Sequence, residues 1–258
     1  MYVVERWLAR LGRSSYVDDF VLKGGMLLAA FGNRRPTVDA DALARNMASD
    51  EDTVARRVAE IAVLPDLYDG VEFLIETLTT RTIRDNALYS GVRVSMDARI
   101  ATAIVKLRLD INFGDPITPE PQLIELPALR PNVASIQVLG YPIETVIAEK
   151  VATAVELGPA NTRVRDYADL YTLTGAHHME ATTLRSALQA TAEFRATTMR
   201  PLSDAIGNIV ELRSATYTAY RTRLGIDGEQ LPVAFRAVVD AVIRFADPLL
   251  ENGVVIRS

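Results

Sequence analysis

Cysteine is absent from the 258 residues. Disulfides, thiolate metal sites and cysteine nucleophiles are therefore excluded. Histidine is almost absent: the only two are adjacent, His177 and His178. Neighbours on a helix point about 100° apart, so this pair makes no shared metal site; it reads as surface or loop. Lysine is equally scarce. Of 28 Lys and Arg, only Lys23, Lys106 and Lys150 are lysines. Arginine cannot always replace a compact point charge, so each surviving lysine is a candidate functional group. No apolar run is long enough to span a bilayer. The first residues, MYVVERWLARLG, mix charge into apolar positions and read as an amphipathic helix, not a signal peptide. The expectation is a cytoplasmic protein with no membrane partner. Ser-His-Asp orders, Walker loops, dinucleotide fingerprints and zinc motifs are missing as well. A net charge of −5 argues against bulk nonspecific nucleic-acid binding, though not against a local basic groove.

What is present changes character along the chain. The spacing predicts helices over 2–12, 25–31 (stopped near Gly32-Asn33) and 51–63, the last capped by Ser49-Asp50-Glu51 and ended at Leu64-Pro65. "FVLKGG" and "TVDADAL" read as extended, as do 71–82, 91–96, 103–113, 123–127 and 135–139. In 103–113, Val105, Leu107, Leu109, Ile111 and Phe113 alternate with Lys106, Arg108, Asp110 and Asn112. From Pro142 on, every periodic segment is helical: 142–157, 161–174, 180–198, 202–223 and 232–250. The fold class is therefore α+β, a mixed-sheet domain over 1–140 followed by a helical domain over 141–258.

Asp39 and Asp41 are one residue apart in an otherwise apolar stretch. In a strand they share a face, with Val38, Ala40 and Ala42 on the other. Adjacent carboxylates repel and favour a cation between them. Oxygen ligands of this kind suit Mg²⁺ with substrate phosphates. The plain alternative is a solvated edge strand carrying two surface acids. Gly24-Gly25, ahead of a helix, would let backbone approach a phosphate at the helix start, or merely turn the chain into the helix. If the 103–113 strand neighbours "VDADAL", Asp110 joins the acid pair, and such a cluster can hold two metals. Otherwise Asp110 is a solvent-facing strand acid.

Helix 142–157 has Pro142 at its favoured first position. Its apolar stripe includes Val146, Ile147 and Val151, and Lys150 interrupts that stripe. Such a lysine either snorkels to solvent or meets an anion, here a triphosphate or one of the acids. In "RVRDYADLY", Asp166 and Asp169 share a helix face. Alone they read as surface acids balanced by Arg163 and Arg165.

Together, "LKGGMLL", "RPTVDAD", "RLDINFGDP" with "PIETVIAEKVATAV", and "RVRDYADLY" resemble the AbiEii/AbiGii-type toxins, including the MenT-like group. That family lies within the DNA polymerase β-like nucleotidyltransferase superfamily. The resemblance covers residues 22–171; Met26 departs from the small or hydroxyl residue common at that place. It implies a polymerase β-like nucleotidyltransferase core and the toxin half of a toxin–antitoxin pair. Such an enzyme moves NMP from an NTP, with Mg²⁺ or Mn²⁺, to an RNA acceptor such as the tRNA 3′ end. Carried over by position, Asp39, Asp41 and Asp110 bind metal and Asp110 also serves as base. Lys23, Gly24, Gly25 and Lys150 bind nucleotide, and Asp166 positions Lys150 or the nucleotide. Thr37 is implied as a site that a partner kinase phosphorylates. The implied partners are tRNA and a cognate antitoxin.

Two other readings stand beside this one. A small-molecule, antibiotic-type nucleotidyltransferase shares the core and differs in its acceptor pocket. Residues 150–230 hold nine cations and nine acids, so charge does not choose between the two acceptors. A binding module with a degenerate site is disfavoured, because every expected acid is present.

Overall fold

The computed structural model describes residues 1–35, 37, 39–65, 69–85, 89–131 and 133–251. The chain divides into two compact units. The first comprises Met1–Asp115 and Pro121–Tyr141; the second comprises Pro116–Glu120 and the chain from Pro142 on.

In the first unit, α1 (Tyr2–Leu11) leads into β1 (Phe20–Lys23), α2 (Gly24–Leu27), β2 (Ala40–Ala44) and α3 (Glu51–Ala62). Then come β3 (Val71–Asp85), β4 (Tyr89–Ile100), β5 (Ala103–Phe113), β6 (Gln122–Leu126) and β7 (Ile136–Gly140). The seven strands form one mixed sheet in the order β3-β4-β5-β2-β1-β7-β6. Two pairings are parallel, β2 with β5 and β1 with β7. The alternation expected of β5 holds where it is covered: Leu107, Leu109 and Ile111 are buried. In β4, Val92, Val94, Met96 and Ala98 are buried by the same period, which extends that strand beyond the expected 91–96.

That apolar face meets α1. Trp7, Leu8 and Leu11 pack on Phe20, Leu22, Ala40, Ala42, Leu109 and Ile111. Trp7 stands edge-on to Phe20 at 5.7 Å and donates its indole N–H to Val58 O on α3. Asp50 caps α3, accepting from Thr53 N at 2.8 Å. With α1 on one face, Lys23, Asp41, Asp110 and Arg93 fall on the other, beside buried Val21 and Leu43.

The second unit is helical: α4 (Ile143–Leu157), α5 (Val164–Ala176), α6 (Ala181–Arg195), α7 (Leu202–Ala205), α8 (Ile209–Arg223) and α9 (Phe235–Leu250). Pro142 is the N-cap of α4 and not its first helical residue. The single helix expected over 202–223 is two. Gly207 adopts φ +51 between them, and Asp247 accepts from Leu202 N, capping the short first piece. Phe235 of α9 meets Tyr167 of α5 edge-on and stacks on Tyr217 of α8. Those rings clamp three helices at one point.

Candidate active site

Strand register builds a row of charge across the polar face of the sheet. Lys23 on β1 is opposite Asp41 on β2. Asp41 is opposite Asp110 on β5, and Asp110 is opposite Arg93 on β4. Paired residues of adjacent strands point to the same face, so the order is cation, acid, acid, cation. The outer cations are both engaged. Lys23, 8% exposed, donates to Asp115 Oδ2 at 2.5 Å with its ammonium 5.0 Å from the centre of the Tyr141 ring. Arg93 grips Asp110 with both arms, Nε to Oδ1 at 2.6 Å and Nη2 to Oδ2 at 2.5 Å. These hydrogen bonds, together with the charges of Asp110, Asp39 and Asp41, raise the Arg93 pKa against the opposing effect of burial.

Asp39 lies outside the ladder, because β2 begins at Ala40. The strand expected over "TVDADAL" is thus shortened at its start. A local bond accounts for this: the Thr37 hydroxyl donates to Asp39 O at 3.0 Å, a turn that competes with strand pairing. Thr37 therefore does not share a strand face with the acids, and Val38, expected to face the core, lies outside the described residues. Asp39 Oδ1 is buried with no hydrogen-bond partner, and Arg108 Nη1 is 4.0 Å from it.

The glycine pair does something the sequence did not announce. Gly24 has φ +66, and a Cβ there would lie 2.7 Å from Asp41 Cγ. Asp41 therefore packs its carboxylate directly on the Gly24 backbone. A Cβ on Gly25 would lie 3.2 Å from the Thr37 side chain. The expected helix over 25–31 is one α-turn, Gly24–Leu27, followed by a 3-10 turn, Leu28–Phe31, ended by left-handed Gly32. So short a helix carries little dipole, and the phosphate-binding argument from a polarised helix start loses its footing.

Mg²⁺ takes hard oxygen donors. Asp39 Oδ1, buried without a hydrogen bond and with only Arg108 at 4.0 Å, fits such a cation, since a buried oxygen left without a hydrogen bond is costly. Asp41 and Asp110, in register on neighbouring strands, are further oxygen donors of the right kind. The three carboxylates are not gathered into one cluster: among the described residues no three Asp, Glu or His side chains stand grouped to hold a metal. Asp110 faces Arg93 instead.

In the second unit Lys150 settles its anomaly by meeting anions. Its Nζ donates to Asp166 Oδ1 at 2.7 Å and to Asp169 Oδ2 at 2.9 Å. The two aspartates expected on the helix surface are buried, Asp166 at 9% and Asp169 at 1% exposure. Burial pushes the Lys150 pKa down, but Asp169 and Asp166 outweigh it, so the value is raised. Burial likewise pushes Asp166 up, and Lys150, Arg165 and Arg163 together bring it below 3.8. An ammonium has three N–H donors; two are used here. Lys106 differs: it makes an exposed cross-strand pair with Asp97 at 2.5 Å.

Sequence reading missed Arg93, Asp115 and the pairing of Asp169. Arg93 carried a signal, since it alternates with buried Val92 and Val94 in the strand beside Asp110. Asp115 lies within the quoted "RLDINFGDP", but nothing local to it points toward Lys23, 92 residues away.

A mixed seven-stranded sheet followed by a helical part is the architecture expected of a nucleotidyltransferase. The family model for the nucleotidyl transferase AbiEii toxin of type IV toxin–antitoxin systems matches residues 6–247, and the chain belongs to that family. It is accordingly a nucleotidyltransferase toxin, a class that implies an NTP substrate and a cognate antitoxin. The same fold occurs in the crystal structure of JHP933 from Helicobacter pylori, with 18% identity, 97% of this chain and 91% of that one covered, and a TM-score of 0.53. It occurs also in MenT4, a nucleotidyltransferase toxin from Mycobacterium tuberculosis, with 17% identity, 98% and 91% covered, and a TM-score of 0.51. No match is found among curated proteins. No helix among the described residues is long and apolar enough to cross a membrane.

Proposed function

We propose that the protein transfers NMP from an NTP to an RNA acceptor, the 3′ end of tRNA, in the cytoplasm, and so blocks translation. The observation that carries this reading is the in-register pair Asp41–Asp110, with the buried Asp39 oxygen that makes no hydrogen bond close by in sequence. Residues 1–140 form the transferase core in this reading, and 141–258 a helical domain.

Asp39, Asp41 and Asp110 are the candidate ligands for Mg²⁺ or Mn²⁺. A bound divalent cation supplies charge neutralisation on the triphosphate and on the attacking oxygen. Asp110 takes the proton from the acceptor hydroxyl, whose oxygen bonds to the α-phosphorus as the bond to pyrophosphate breaks. Lys23, Gly24 and Gly25 line the nucleotide's approach to Asp41. Lys150 is the candidate phosphate-binding lysine of the helical domain, and Asp166 and Asp169 hold it in one orientation and keep it charged.

Incubation with total tRNA, Mg²⁺ and each labelled NTP in turn tests the reading. Label should enter RNA of tRNA size and be lost with Asp41→Asn. Label that enters only small molecules would overturn the RNA acceptor in favour of an antibiotic-type transferase.

A further inference from the structure

We propose that Arg93 is an internal counter-ion that competes with the divalent cation for Asp110 and so sets the cation concentration at which the site loads. This rests on the reading of Asp110 as a metal ligand.

The strand register makes a counter-ion necessary. Asp41 and Asp110 are direct partners on parallel strands, and neighbouring strands are about 4.8 Å apart. Two like charges at that spacing destabilise the sheet unless a cation intervenes. On β1, Lys23 is in register with Asp41 and also donates its ammonium to Asp115. On β4, Arg93 is in register with Asp110 and spends its fork there. Arg81 on β3 is in turn opposite Arg93, so like-charge repulsion from that side favours Arg93 leaning toward the acids.

The geometry of the grip makes it a competitor and not merely a neighbour. Both oxygens of Asp110 are engaged, one by Nε and one by Nη2. A cation drawing on either oxygen must weaken that two-point contact. The side chains are also unequally buried, Arg93 at 28% and Asp110 at 14% exposure. The arginine is thus the more solvent-accessible partner and can withdraw to water while the carboxylate stays. Arginine is suited to this because its planar fork matches a carboxylate, whereas a lysine in its place would offer a single point charge.

The test measures Mn²⁺ binding to the full chain, without nucleotide, by electron paramagnetic resonance of the free ion. Arg93→Gln should tighten binding about tenfold or more. Arg93→Lys keeps the charge and loses the fork, and should tighten binding by a smaller but measurable factor. Arg108→Gln, which removes a cation 4.0 Å from Asp39, controls for the general effect of lost positive charge. The proposal is overturned if Arg93→Lys binds as the wild type does, or if Arg108→Gln matches Arg93→Gln. Should Arg93→Gln fail to fold on a melting check, the Arg93→Lys comparison decides alone. Asp41→Asn and Asp110→Asn should both weaken Mn²⁺ binding. If neither does, the metal-site reading fails, and this inference with it; if both do and the Arg93 variants are unchanged, only the inference fails.

Discussion

Lys150 Nζ lies 2.9 Å from Asp169 Oδ2, a carboxylate only 1% exposed, and shares itself with Asp166 at 2.7 Å. A lysine in an apolar helix stripe thus serves as counter-ion to two buried acids. Lys150→Ala should therefore cost stability as well as transfer activity, because it removes the ammonium that both buried carboxylates accept. The expected loss is about 3–5 kcal/mol. Lys150→Arg keeps the charge, but its fork does not match the two separate acceptors, and much of the activity should go. The triple variant Lys150→Met, Asp166→Asn, Asp169→Asn removes the charges together and should recover most of the melting temperature while transfer stays absent. Recovery of transfer in that variant would show that Lys150 has no role beyond structure.

The same cluster gives stability a defined pH window. Asp166 has a folded pKa below its ordinary 3.8, so its contribution is present above that value and lost as pH falls through the depressed one. Lys150 has a folded pKa above its ordinary 10.5, so its contribution is present below that value and lost as pH rises through the raised one. Between about pH 5 and 9 the cluster's share of stability should be flat. Thermal melts against the triple variant check this: the wild type should lose ground only at the acid and alkaline ends. A slope through neutrality would contradict it.

Asp39→Asn and Asp41→Asn should each lower nucleotide transfer at least about a hundredfold, and in Asp39→Asn the melting temperature should hold or rise. Neutralising an acid on this crowded face removes repulsion, and Asp39 Oδ1 forfeits no hydrogen bond. Near-wild-type turnover in either variant would remove it from the site.

Gly24→Ala tests the close approach of Asp41. The new Cβ would sit at φ +66 and overlap the Asp41 carboxylate. Backbone strain alone should cost about 1–3 kcal/mol, and displacement of Asp41 should suppress transfer beyond that loss. Melting and activity on one preparation separate the two effects.

Thr37 donates its hydroxyl to Asp39 O and lies where a side chain on Gly25 would touch it. A phosphate there would bring negative charge to the Asp39 turn and compete for a cation. Thr37→Glu should inactivate, and Thr37→Ala should spare much of the activity. Equal activity in the two variants would dismiss Thr37 as a regulatory position.

Much of the plan was written in local pattern. The period-two alternation of Leu107, Leu109 and Ile111 specified β5 and put Asp110 on its polar face, because side chains in a strand alternate whatever lies next to it. The Asp50 cap, the change to helices after Pro142, and the candidacy of Asp39, Asp41, Lys150 and Asp166 were legible for the same reason: propensity, capping and motif spacing act over a few residues. Partnership was not legible. That β2 pairs in parallel with β5, that Arg93 grips Asp110 across 17 residues, and that Lys23 meets Asp115 across 92 are outcomes of sheet order and register. Nor could pattern show Asp169 buried or Asp39 outside its strand. Those depend on which helix covers Asp169 and on one hydroxyl at Thr37 outcompeting a ladder bond. Charge pairing is decided by distance in space, which a linear sequence encodes only through the whole packed fold.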